Sequence, residues 1–241
     1  MIVQHRIALD TAGIFVGPAL AYPLYAWLLS NVPSEYGDAL HEQGTRPISQ
    51  YVYHDGKNAQ WVVNLLTDES AEAFSPILER APGAQLHQGA IAFGERDVSL
   101  IESAQCLIDR ARTMPDRNRF SFELLTPTAF KQGGRYAIFP QESLMLQSLV
   151  NRWGMCFPEL PLDDPDAMQY ILQGINIVDY RLHTLRHSLK QTKIPSFQGR
   201  VIIETRLPAP LLEIWKTLYA FAPYVGIGIK TALGMGAVKT E

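Results

Sequence analysis

Two cysteines in 241 residues, Cys106 and Cys156, stand far apart with no CxxC and no Cys/His cluster beside them. So few thiols exclude a disulfide scaffold and a structural zinc site, and they point to a reducing compartment. Charge is missing elsewhere: there is no Asp, Glu, Lys or Arg from Thr11 to Ser34. By hydropathy that window passes for a membrane span, but Pro18 and Pro23 interrupt a spanning helix and Asp10 breaks the apolar run of a signal peptide. The expectation is a buried first helix in a cytoplasmic protein with no targeting signal and no membrane partner. Positive charge is scarce in the first half, where residues 1–109 hold 5 Lys+Arg against 13 Asp+Glu. Residues 110–241 reverse the balance, 16 against 11, so a polyanionic partner belongs mainly to the second half.

What is present reads as two α+β units in tandem. IVQHRIAL predicts a strand, and Gly17 to Ser30 an apolar helix that Pro18 starts. ISQYVYH and AQWVVNLLT, separated by DGKN, predict a hairpin. A helix over Ser70 to Arg80, capped by Asp68 or Ser70, and a strand over 86–93 complete a β-α-β-β-α-β order. MPDRNR reads as a linker, dividing the chain into 1–113 and 114–241. The second unit repeats the order with RFSFELLTPTAF and RYAIFP as strands, then helices over Gln141 to Trp153 and Ala167 to Val178. Strands around RLHTLRHSLKQT and GRVIIETR and a helix from Leu211 to Phe221 follow.

The last segment, GIGIKTALGMGAVK, holds Gly226, Gly228, Gly234 and Gly236 beside Lys230 and Lys239. Glycine is costly in regular structure, so something must come close to this backbone. Neither known glycine loop fits: Thr231 stands where a dinucleotide fingerprint needs its third glycine, and no Gly-Lys-Ser/Thr run exists. Bare N–H groups in such a loop form anion-binding concavities, to which the lysines add charge; a tight structural turn is the alternative.

VGIGIKTALGMGAV resembles the glycine-rich loop of the RAMP superfamily, and specifically of the endoribonuclease family that cuts CRISPR precursor RNA within its repeats. LLTPTAFKQGGRYAIFPQESLMLQSLVNRW, IPSFQGRVIIET and ALHEQGTRPISQYVY resemble further segments of that family, in the right chain order. The resemblance implies two tandem ferredoxin-like domains with CRISPR repeat RNA on a basic surface, and mature guide RNA as product. It implies a reaction without metal or other cofactor: a 2'-hydroxyl attacks the adjacent phosphorus, leaving a 2',3'-cyclic phosphate and a 5'-hydroxyl. A non-cleaving RNA-binding subunit of a CRISPR effector complex is the alternative. Joining such a complex and forming a homodimer both stay open.

An in-line attack needs a base, an acid and a cation for the phosphorane. Histidine suits the proton work, and of six histidines His41 matches the family's position. Arg46, nearest in sequence, is expected to supply the cation. The family often supplies a Tyr or Lys from its first helix; this chain offers Tyr22 and Tyr25 there and no lysine, so Tyr25 is chosen for the third role, with Arg6 as the substitute if it points into the same cleft. For RNA binding the expectation names Lys131 and Arg135 in KQGGRY and a basic strand face of Arg181, Arg186, Lys190 and Lys193. The glycine loop, with Gly226, Gly228, Lys230, Gly234 and Gly236, completes the set. His183 and His187, four apart, fall in an alternating strand pattern and are not expected to hold metal.

Overall fold

Apolar alternation in the first ten residues produces the strand it predicts, β1 (Ile2–Asp10), which buries Ile7 and Leu9. The computed structural model describes residues 1–10, 16–33, 36–37, 46–54, 59–189 and 191–241; His41, Lys190 and the DGKN turn lie outside them. β1 lies antiparallel between β3 (Ala59–Leu65) and β5 (Gly89–Ile101). β2 (Ile48–His54) flanks β3 and β4 (Gly83–Leu86) flanks β5, giving the order β2-β3-β1-β5-β4.

Several elements differ from expectation. The helix expected from Gly17 opens as a 3-10 turn over Pro18–Leu20, and α1 (Ala21–Ser30) follows it. Pro23 falls in the first turn of α1, where no intrahelical partner exists for the missing N–H. α2 (Asp68–Arg80) is capped by Thr67, not by Asp68 or Ser70. Thr67 Oγ1 accepts from the Ser70 N–H at 3.2 Å and Ser70 Oγ from the Thr67 N–H at 3.1 Å, a reciprocal capping box. The strand expected over 86–93 is two strands that turn at His87 and Gln88, and β5 runs on to Ile101. Pairing with β1 carries β5 through its polar stretch, with Arg96 opposite Ile7 and Asp97 opposite Arg6.

α3 (Ala104–Thr113) was not expected; it buries Leu107 and Ala111 and packs against α6 (Ala209–Val225). The second unit runs β6 (Arg119–Thr128), a hairpin of β7 (Phe130–Gln132) and β8 (Arg135–Ala137), α4 (Glu142–Cys156) and α5 (Pro165–Gly174). β9 (Ile175–Leu189), β10 (Thr192–Thr205), α6 and β11 (Val238–Thr240) close the chain, with sheet order β11-β6-β10-β9. The helix expected over 167–178 stops at Gly174, because Ile175, Ile177 and Val178 extend into β9. RYAIFP yields only the short β8, paired with β7 apart from the four-stranded sheet.

Both sheets place the first and third core strands at the centre and the second and fourth outside, so the ferredoxin-like unit occurs twice. One core joins Ile7, Leu24, Leu28, Trp61 and Phe74. The other joins Phe122, Trp153, Val201, Trp215 and Phe221, and takes in Ile2, Leu66 and Leu107 from the first half of the chain.

Candidate functional site

Each loop glycine answers to the protein's own backbone. Gly226, Gly228, Gly234 and Gly236 all have positive φ, between +70° and +95°. A Cβ on Gly236 would lie 2.1 Å from the Ile227 carbonyl oxygen, and one on Gly228 2.4 Å from that of Ala129. One on Gly234 would meet the Ala21 Cβ at 2.3 Å. The loop N–H groups are mostly consumed as well: Ile227 donates to Gly236 at 2.8 Å, Gly236 to Pro127 at 3.0 Å and Gly228 to Ser148 Oγ at 2.9 Å. The glycines therefore fold the loop into a tight knot that presents Lys230, itself in the left-handed region at φ 58°.

Gln50, which sequence reasoning missed, fastens this knot to the first unit. Its buried side chain donates to the Ala21 carbonyl at 2.9 Å and the Ala232 carbonyl at 3.0 Å, and accepts from Trp61 Nε1 at 2.8 Å. One fully satisfied amide thus ties α1, β2 and the loop together. Glutamine inside an otherwise apolar strand, ISQYVYH, was the available signal.

Beside the loop opens a cleft of about 460 Å³ whose lining includes Arg46, Lys131, Tyr136, Arg152, Lys230 and Thr231, with Gly228. Four cations and no carboxylate face it among the described residues. The Arg46 guanidinium carbon sits 5.3 Å from the centre of the Tyr25 ring, a cation–π arrangement. Tyr25 is only 2% exposed, so its ring lies under Arg46 as part of the core. Burial pushes its phenol up, and the Arg46 charge opposes that shift. Tyr36, stacked edge-on against Phe74, is pushed up to about 12 by burial and by Glu69 and Tyr25 nearby.

The expected residues divide. Arg46, Lys131, Gly228 and Lys230 meet in the cleft. In the β7–β8 hairpin Lys131 opposes Tyr136, another cleft residue, while Arg135 opposes Gln132 and alternates to the other face. Arg181 is elsewhere, in a depression on the sheet formed with His183, Arg200 and Lys239. There the register places Lys239, Glu123, Arg200 and Arg181 in one row across β11, β6, β10 and β9. Arg181 and Arg186 do not form one face: the register is unbroken between them, and an odd separation puts them on opposite sides. Lys193 stands opposite Ser188 near the end of the β9–β10 hairpin.

Two histidines prove to be buried. His5 lies under α2 with Nε2 3.0 Å from Ser75 Oγ, and burial lowers its pKa despite Glu79. His187 is lowered by burial too. Among the described residues no group of three or more His, Cys, Asp or Glu gathers as a metal site, and no helix is long and apolar enough to cross a membrane.

The family model for the CRISPR-associated endoribonuclease Cas6 matches residues 122–238. A CRISPR-associated endoribonuclease Cas6 of Streptococcus thermophilus is 32% identical over 222 residues, covering 92% of this chain and 91% of that protein. This chain belongs to the Cas6 family. A Cas6 of Mycobacterium tuberculosis (strain CDC 1551 / Oshkosh) is 28% identical over 223 residues, 90% of this chain and 70% of its own. The fold agrees throughout: a Cas6 product complex matches over 100% of both chains at 21% identity with a TM-score of 0.83. Thermus thermophilus Cas6 matches over 100% of this chain and 98% of its own at 22% identity, TM-score 0.74. The stretch matched by the Cas6 family model holds Lys131, Arg152 and Lys230 but not Arg46 or Tyr25. The cleft therefore combines the family's second-half scaffold with a first-half arginine.

Proposed function

We propose that this Cas6-family chain cuts CRISPR repeat RNA without a metal ion, releasing a guide with 2',3'-cyclic phosphate and 5'-hydroxyl ends. The carrying observation is the cleft, with no carboxylate among its described lining residues, in which Arg46 joins Lys131, Lys230 and the glycine loop. Four positive side chains on one concave surface suit a phosphodiester strand and suit little that is neutral.

In this reading His41 takes the proton from the attacking 2'-oxygen or returns one to the departing 5'-oxygen, work for which an imidazole is poised near neutrality. Arg46 faces the charge that gathers on the phosphorane, at a site where a fixed donor is worth more than in water. Tyr25 acts through Arg46, as the aromatic platform that holds its guanidinium in place. Residues 1–113 supply the chemistry and residues 114–241 most of the grip, through Lys131, Lys230 and the basic positions of the β9–β10 hairpin.

The test is incubation of one repeat RNA with the protein in EDTA, followed by mapping of both ends. A single cut with a cyclic phosphate is expected. His41→Ala should lower the rate by about 10²- to 10⁴-fold and keep the RNA affinity. Tight binding by the wild type without a cut would instead make the chain a non-cleaving subunit.

A further inference from the structure

Arg152 enters the same cleft from α4, and nothing in the sequence marks it. It is a charged side chain only 9% exposed, and its Nη1 is buried with no hydrogen-bond partner among the described residues. Among the described residues no carboxylate lies within ion-pair distance of it. Burial lowers its pKa to about 10, so it keeps its charge at neutral pH. Thr231, which lines the same cleft, is 2% exposed and its Oγ1 is likewise buried and without a partner among the described residues. Buried polar groups are ordinarily paired, and a buried guanidinium without a counter-charge carries a large desolvation cost.

Two such groups in one cleft make a site prepared for an anion. Thr231 packs against the knot: a Cβ added on Gly226 would come within 3.1 Å of its Cγ2, and one on Gly236 within 3.3 Å. Lys131 and Lys230 rim the same opening, and Arg46 borders it. A guanidinium and a hydroxyl lining one cleft can share the several oxygens of a phosphate.

We propose that Arg152 and Thr231 form the floor of a phosphate subsite that seizes one phosphodiester of the bound RNA and so sets the register of the strand past Arg46. The subsite rests on the reading of the cleft as an RNA site. Arg152 is a positioning residue in it.

The experiment compares wild type, Arg152→Met, Arg152→Lys and Thr231→Val, which keeps the shape of the side chain and removes only the hydroxyl. For Arg152→Met, repeat RNA should bind about tenfold weaker, and the slope of log affinity against log salt should shrink by about 0.7, one phosphate contact to a single strand. Arg152→Lys should keep the slope. Thr231→Val should weaken binding severalfold with the slope unchanged. Without RNA, Arg152→Met should melt at or above the wild-type temperature, because it removes an unpaired buried charge; a side chain that merely supported the fold would give a lower value.

Inorganic pyrophosphate at millimolar concentration supplies the independent readout. It should raise the melting temperature of the wild type and not of Arg152→Met. That result keeps the subsite even if no repeat RNA is bound, in which case only the RNA reading falls. Normal RNA binding and cleavage with an unchanged salt slope and pyrophosphate shift in both Arg152→Met and Thr231→Val would overturn the subsite and leave the RNA reading in place. Should Arg152→Met fail to fold, Thr231→Val decides alone: a severalfold loss of RNA affinity with a smaller pyrophosphate shift keeps the subsite, and wild-type values of both overturn it.

Discussion

Lys216 and Arg152 are both buried cations of the second core, and they are treated oppositely. Lys216, in α6, reaches out to Asp116 at 3.4 Å. Nearby charges are paired as well: Arg112 of α3 with Glu213 of α6 at 2.8 Å, and, at the start of β6 and the end of β10, Arg119 and Arg206 with Glu204. Among the described residues Arg152 has no such partner, nor do Lys131 and Lys230, which line the same cleft. The contrast teaches that, among the described residues, positive charge is satisfied internally around Lys216 and left open at the cleft. Fold stability does not call for open charges, so they point to a partner outside the chain.

The comparison is broken most sharply by removing the cleft charge proposed to face the phosphorane. Arg46→Gln should lower single-turnover cleavage of repeat RNA by about 10²-fold or more, the loss found when one transition-state donor is removed, while Arg112→Gln leaves the rate unchanged. Next in size is a stability contrast between two glycines of positive φ. Gly236→Ala sets a Cβ against the Ile227 carbonyl and should cost several kcal/mol, roughly 3, in denaturant unfolding. Gly133→Ala at the hairpin tip meets nothing within 4 Å and should cost only about 1 kcal/mol, from its φ of +55°.

Much of the architecture was legible in the sequence because period-2 alternation and helical runs coincide with what the fold buries. Where reading failed, a long-range partner decided: β5 continues through GERDVS because β1 pairs with it, and α3 exists because Leu107 finds a core built largely of later residues. The cleft was half legible. Lys131, Lys230 and Arg46 stood out as cations near glycines or near His41, and they do share the cleft. Arg152 was hidden inside the apolar helix pattern of α4, and Thr231 looked like an interruption of a glycine motif. Neither is visible until burial shows what lacks a partner. The glycines were noticed for the right reason, since a backbone does come close to them, but at those four positions it is the protein's own.

Two smaller effects sharpen the contrast further. Lys131→Gln should weaken RNA binding severalfold and reduce the salt slope by about 0.7, while Arg135→Gln, on the other face of the same hairpin, leaves the slope unchanged. The smallest concerns pH. The folded-state pKa of His5 is lowered, so as pH falls below about 6.5 the unfolded chain takes up a proton there that the folded chain refuses. Stability from this group is present above that pH and lost below it. His5→Gln should therefore flatten the fall of melting temperature between about pH 6.5 and 5 relative to wild type.

The most direct measurement of the central claim sets two triple variants side by side, each removing three positive charges. One carries Arg46→Gln, Lys131→Gln and Lys230→Gln in the cleft; the other carries Arg112→Gln, Arg119→Gln and Arg206→Gln from the paired set. Titrating repeat RNA against both across a salt series should show the cleft variant losing most of its affinity and about 2 from the slope, with the other near wild type. Equal losses in the two, or a larger loss in the paired set, would show that net charge binds the RNA and would contradict the cleft.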